Sequence, residues 1–160
     1  MTVLRPRARR ALASVLVVLA FTAATGACAR RTSPPPAAPS ADVGAAGRVL
    51  AKVNAFRAAN GRGSVQAAYD ATGKAQALAQ AMADQQGTFH SSSYSSGITR
   101  GWTALAENVA SAPSAGQGLQ LMEASPEHRA NLLGSYNQVG IGVAYGTNGM
   151  AYLAIELVQR

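Results

Sequence analysis

The chain has 160 residues, enough for a single domain, and a formal net charge of +7 that first suggests a nucleic-acid partner. The distribution of charge excludes that class. Arg5, Arg7, Arg9, Arg10, Arg30 and Arg31 precede the folded part, eight basic residues face six acidic ones from Gly44 onward, and no basic patch with interleaved aromatics follows.

Residues 1–29 have the layout of a secretory signal: an arginine-rich start, the apolar run from Ala11 to Phe21, then small residues. The uncharged stretch from Ala11 to Ala29 reaches the length of a marginal membrane span, but its last eight residues are weakly apolar, which favours a removed signal over a retained anchor. Cys28, the one cysteine, follows Thr25-Gly26-Ala27 and resembles the lipidated cysteine of a bacterial lipobox, with Thr25 where an aliphatic residue is usual. Cleavage after Ala27-Cys28-Ala29 is the competing reading, and both export the protein. The remaining chain has no cysteine, so its fold needs no disulfide. Residues 30–45, with four prolines and no apolar periodicity, read as a disordered tether, leaving 46–160 as the folded domain.

Within that domain, Val49, Leu50, Val53 and Phe56 recur at helical spacing, and Asn60-Gly61 ends the helix. Asp70 is placed to cap a second helix over about 71–86, with Ala75, Leu78, Ala79, Met82 and Ala83 as its inward stripe and Gly87 as its stop. The serine- and glycine-rich residues 88–101 read as a loop carrying His90, either a functional histidine or a flexible excursion. An extended segment from Trp102 to Ala110 bears Glu107 and Asn108. Ser114 starts a helix to about Ala124, and the Ser125-Pro126 turn starts a short one to Leu133. The period then changes to two: Val139, Ile141, Val143 and Tyr145 alternate with Gly140, Gly142 and Ala144. After Gly146-Thr-Asn-Gly149, Ala151, Leu153, Ile155 and Leu157 alternate again, which predicts an antiparallel hairpin with a four-residue loop. Glycines on one strand face let another element approach closely. Helices first and a hairpin last give an α+β fold.

His128 falls in the first turn after Ser125, Pro126 and Glu127, where the helix dipole disfavours imidazolium. A neutral imidazole suits a metal ligand or a general base, while packing or capping is the plain alternative. His90 and Glu107 are its candidate partners, and no local metal motif links the three, so any site must be assembled by the fold.

The motifs Asn54-Ala-Phe-Arg57-x-x-Asn-Gly61, Phe89-His90-Ser91, Ala106-Glu107-Asn108-Val-Ala110, Ser125-Pro-Glu-His128-Arg-Ala-Asn131-Leu-Leu and Val139-Gly-Ile-Gly-Val143 occur in that order. This series resembles the bacterial SCP-like branch of the CAP superfamily, named for cysteine-rich secretory proteins, antigen 5 and pathogenesis-related 1 proteins. The resemblance implies an α-β-α sandwich around a central antiparallel sheet. It also implies a surface cleft with two histidines, here His90 and His128, able to bind zinc or another divalent metal, and an acid, here Glu107. The motif glycine is Ala106 in this chain, and the family's second acid falls near Ala124 or Ser125, with only Glu123 and Glu127 close by. Met122 stands where a tryptophan often precedes the Ser-Pro turn.

Glu107 is therefore expected either to orient a histidine or to act as a base on bound water. Asn108 is expected to fix the local chain by hydrogen bonds, Arg129 to sit in an ion pair or on the surface, and Asn131 to bond to backbone. Two functions remain open. One is an exported module that binds a lipid, a cell-wall component or a protein of the envelope. The other is a metal-assisted hydrolase with Glu107 as base, or a variant with Ser91 as nucleophile, for which no Gly-x-Ser-x-Gly elbow exists. The incomplete acid pair favours binding.

Overall fold

The computed structural model of the chain describes residues 40–160 other than Arg100. The signal at 1–29, Cys28 and most of the tether lie outside the described residues. The elements run β1 (Ser40–Ala41), α1 (Val43–Ala59), β2 (Gln66–Ala67), α2 (Tyr69–Gln85), β3 (Ala104–Ala112), α3 (Ala115–Ala124), α4 (Pro126–Leu132), β4 (Gln138–Tyr145) and β5 (Ala151–Gln159). Residues 40–45, expected in the tether, belong to β1 and the first turn of α1. The missed signal is Asp42, whose Oδ1 accepts from the Ala45 N–H at 2.7 Å and caps the helix.

The alternating C-terminal residues form the predicted hairpin, β4 against β5, with Val139 opposite Leu157 and Val143 opposite Leu153. Five residues rather than the expected four join the strands, because Met150 closes the turn by accepting from the Gly146 N–H at 3.0 Å, with Gly149 at φ +77°. β3 is a full nine-residue strand, shifted two residues toward the C-terminus from the extended segment expected, and pairs antiparallel with β5 along its whole length. The sheet order is β1-β4-β5-β3, with two-residue β2 running parallel beside β4.

Strand alternation sorts the side chains into two layers. Val139, Ile141, Val143, Leu153, Ile155 and Leu157 face α1, α3 and α4 and pack with Val49, Val53, Leu119, Met122 and Leu132. Met122 is fully buried in this layer. On the other face, Val109, Ala144, Tyr152 and Ala154 pack against Ala75, Leu78, Ala79, Met82 and Ala83 of α2. The result is the α-β-α sandwich expected. No helix of the described residues is long and apolar enough to cross a membrane.

Gly140 and Gly142 show why the middle of that face of β4 carries no side chains. A Cβ on Gly140 would lie 2.0 Å from the Ala71 carbonyl, and one on Gly142 would lie 2.1 Å from the Ala75 oxygen. The backbone of α2 therefore rests directly on β4. Two cap expectations are corrected. Ala68, not Asp70, is the N-cap of α2, because Asp70 lies inside the first turn and accepts there from Ala71 and, across the loop, from Thr99. The left-handed residue ending α2 is Gln86 (φ +51°) rather than Gly87.

Gly142→Ala should lower the unfolding free energy by about 1–3 kcal/mol or more, since the helix must move to admit one methyl. Gly73→Ala, at an α2 position with nothing within 4 Å of a Cβ, should raise it by about 0.5–1 kcal/mol. Urea denaturation of both variants checks the pair, and an unchanged midpoint for Gly142→Ala would contradict the close approach.

Candidate functional site

Glu107 lies in the middle of β3 on the face toward α2, and Glu156 lies directly opposite it on β5. Two carboxylates facing each other across one strand pair repel unless a proton or a cation intervenes. Both are buried, at 4% and 3% exposure. The cation comes from α2. Lys74 sits one turn from Ala71 and Leu78 on the inward side of the helix. Its Nζ donates to Glu156 Oε2 at 3.0 Å, to Glu107 Oε2 at 3.4 Å and to the Tyr94 carbonyl at 3.0 Å. Its side chain is only 7% exposed.

The loop after α2 completes the cluster. Phe89 packs against the α2 face and Thr88 donates to Ser111 of β3 at 2.9 Å, which fixes the loop at its start. His90 Nδ1 then lies 2.7 Å from Glu107 Oε1, the Ser91 N–H donates to the same oxygen at 2.9 Å, and the Ser91 hydroxyl donates to Oε2. Tyr94 meets the His90 ring edge-on at 6.1 Å between centroids and covers Lys74 at 5.9 Å. The loop is thus tied down at several points rather than being a flexible excursion.

These contacts separate the two acids. Burial raises the pKa of Glu107, but hydrogen bonds from Ser91, Glu156 and His90 outweigh it and hold the group at about 2. Burial and the neighbouring Glu107 push Glu156 up to about 8, against the pull of Lys74. Glu156 therefore keeps its proton at neutral pH and Glu107 is the carboxylate. Glu156 Oε1 has no hydrogen-bond partner. As an acceptor only, Glu107 takes the hydrogen of His90 Nδ1. Nε2 is then the ring nitrogen without a partner among the described residues, on a side chain 46% exposed.

His128 makes no hydrogen bond to this cluster among the described residues. Asn108 follows Glu107 in β3 and so points to the opposite face, where its Nδ2 donates to the His128 carbonyl at 2.9 Å. The His128 ring makes no hydrogen bond among the described residues. Ser125 is the N-cap position of α4 but gives no side-chain cap bond. Asn131 bonds to the side chain of Asn108 at 2.8 Å rather than to backbone. Arg129 lies over the Phe56 ring at 4.8 Å and donates to Asn60 Oδ1 at 2.7 Å, a surface brace without an acid. His128, Asn108, Asn131 and Arg129 thus anchor α4 to the sheet and to α1.

Among the described residues, His90 and His128 share no hydrogen-bonded partner. His90 is tied to Glu107 on one face of β3, whereas His128 is tied through its carbonyl to Asn108 on the other. Among the described residues no group of three or more His, Cys, Asp or Glu could hold a metal ion. The acid that faces Glu107 is Glu156 of β5, not one near Ser125. Its signal in the sequence was a charged residue inside the apolar alternation of β5, and the corresponding signal for Lys74 was its place on the inward stripe of α2. A separate apolar cavity of about 190 Å³ lies between α1 and β4, lined by Val43, Leu50, Val139 and Ile141, and shares no residue with the cluster.

The comparisons with known proteins agree with this fold. A family model described as CAP, the cysteine-rich secretory protein family, matches residues 50–157. No curated protein matches the chain. An outer surface protein of Borrelia burgdorferi shares the fold at a TM-score of 0.62 and 12% identity, covering 71% of this chain and 91% of its own. An extracellular protein of Bacillus anthracis containing an SCP domain does so at 0.60 and 18% identity, covering 73% of this chain, which spans 41% of that one.

The acid pair gives stability a defined pH profile. Glu156, raised in the folded state, contributes fully below its unfolded pKa near 4.5 and loses that contribution as pH rises through about 8. Glu107, lowered, contributes fully above 4.5 and loses it as pH falls through about 2. Thermal midpoints should therefore fall between pH 4.5 and 8, and Glu156→Gln should flatten that limb. Parallel profiles for the two proteins would contradict the assignment.

Proposed function

The chain belongs to the cysteine-rich secretory protein family, and from that premise we propose that it is an exported binding module of the cell envelope that meets its ligand through His90. One observation carries the reading: His90 Nε2 is on an exposed ring and has no hydrogen bond among the described residues, while Lys74, Ser91 and Glu107 are engaged within the cluster. Lys74 is shared between two acids and a carbonyl, and the Ser91 hydroxyl is committed to Glu107. A serine nucleophile would need its hydroxyl on the histidine, not on the acid that orients the histidine. Glu107, held near 2, is too weak a base to activate water. Its role is to set the ring of His90 and its tautomer, leaving Nε2 and the faces of Tyr94 and His90 to a ligand.

Export rests on the signal-like residues 1–29, with Cys28 as the lipidated anchor and the proline-rich segment as the spacer. The names of the two structural neighbours, an outer surface protein and an extracellular protein, support the same placement. The ligand is then a component of the envelope: a wall polymer, a lipid or a protein.

Cosedimentation with purified peptidoglycan sacculi, and separately with phosphatidylglycerol vesicles, tests the reading. Wild-type protein should pellet with one of the two. His90→Ala should weaken that binding by about tenfold, near the loss of one or two hydrogen bonds, while His128→Ala should leave it unchanged. In cells, Cys28→Ala should move the protein from the membrane fraction to the medium. Turnover of ester or peptide substrates that disappears in His90→Ala would make the site catalytic and overturn the binding reading.

A further inference from the structure

We infer that Lys74 is the resident cation of this site: its ammonium holds the point between Glu107, Glu156 and the Tyr94 carbonyl that a divalent ion would otherwise take. Three oxygens stand at 3.0, 3.0 and 3.4 Å from Nζ, and an ammonium has three hydrogens to give them. The side chain is almost sealed from water, and α2 cannot slide to withdraw it, because Ala71 and Ala75, on either side of Lys74, rest on the glycines of β4. A built-in charge of this kind is bound at every metal concentration, so the native site is complete without an ion.

Taking the lysine away has a definite consequence. It leaves two buried carboxyl groups and the carbonyl of Tyr94 around one vacated point, and one of those groups, Glu156, already has an oxygen, Oε1, without a partner. An oxygen-only donor set is the kind that hard divalent ions select, and Ca²⁺ at about 2.4 Å would need the three oxygens to draw in by about 0.6 to 1 Å, with water completing its shell. Replacing the ammonium by a neutral side chain should therefore convert a metal-indifferent site into a Ca²⁺ site. The inference stands apart from the binding role of His90, since it concerns the buried side of the cluster and is read without any envelope ligand.

Two measurements on the full domain test it. In calorimetric titration, wild-type protein should show no stoichiometric site for Ca²⁺ or Zn²⁺. Lys74→Ala should gain one Ca²⁺ site at least about tenfold tighter, and Lys74→Ala with Glu156→Gln should lose it again. Lys74→Met repeats the arm with a side chain of similar length. The second measurement needs no variant. Lys52, the only other lysine, is exposed, so reductive methylation should label Lys74 at least about tenfold more slowly than Lys52. Millimolar Ca²⁺ or Zn²⁺ should leave that ratio unchanged. A wild-type metal site that depends on Glu107, a metal-induced rise in Lys74 labelling, or a folded Lys74→Ala protein that gains no Ca²⁺ site would each overturn the inference.

Discussion

The direct seat of α2 on β4 is the constraint from which the rest follows. Two glycines remove the side chains that would hold the helix away, and the backbone carbonyls of Ala71 and Ala75 occupy that space. Lys74 is carried between them to a depth at which its short reach ends on Glu107 and Glu156. With an ordinary side chain in place of either glycine, the helix would ride higher and the two facing acids would lose their counter-charge. Packing on one strand thus sets the electrostatics on the next two.

Charge balance explains why such a cluster can be buried. An ion pair taken out of water gains little over an apolar core, yet an uncompensated buried charge is costly. One ammonium against one carboxylate and one protonated acid leaves the interior near neutral. The Ser91 amide and hydroxyl and His90 supply the remaining donors to Glu107. The visible product of this buried arrangement is a single oriented imidazole at the surface. The opposite face of β3 serves the scaffold instead. There Asn108 joins Asn131 and the His128 carbonyl, so the motif around His128 locks α4 to the sheet.

How much of this was legible in the sequence depends on the range of the contact involved. The hairpin, the glycine face and the inward stripe of α2 are periodic features, and periodicity reports burial directly. His90 and Glu107 were legible as candidates, and the fold joins them. His128 was equally conspicuous in a well-marked helix start, but the bond its carbonyl accepts from Asn108 depends on a strand that a helix start does not reveal. Glu156 and Lys74 were missed for a related reason. Each is a charged residue in an otherwise apolar pattern, and only the β3–β5 register and the tilt of α2 bring them opposite Glu107. The short strands β1 and β2, two residues each, have no period to read at all.

Carboxyl carbon chemical shifts of the two glutamates, followed through pH, test the central claim most directly, because they report each protonation state at its own atom. Glu107 should stay ionised from pH 7 down to pH 4, and Glu156 should hold its proton at neutrality and release it near pH 8. Two carboxyl groups titrating together near the ordinary glutamate value would show that Lys74, Glu107 and Glu156 do not form the buried, charge-balanced cluster described.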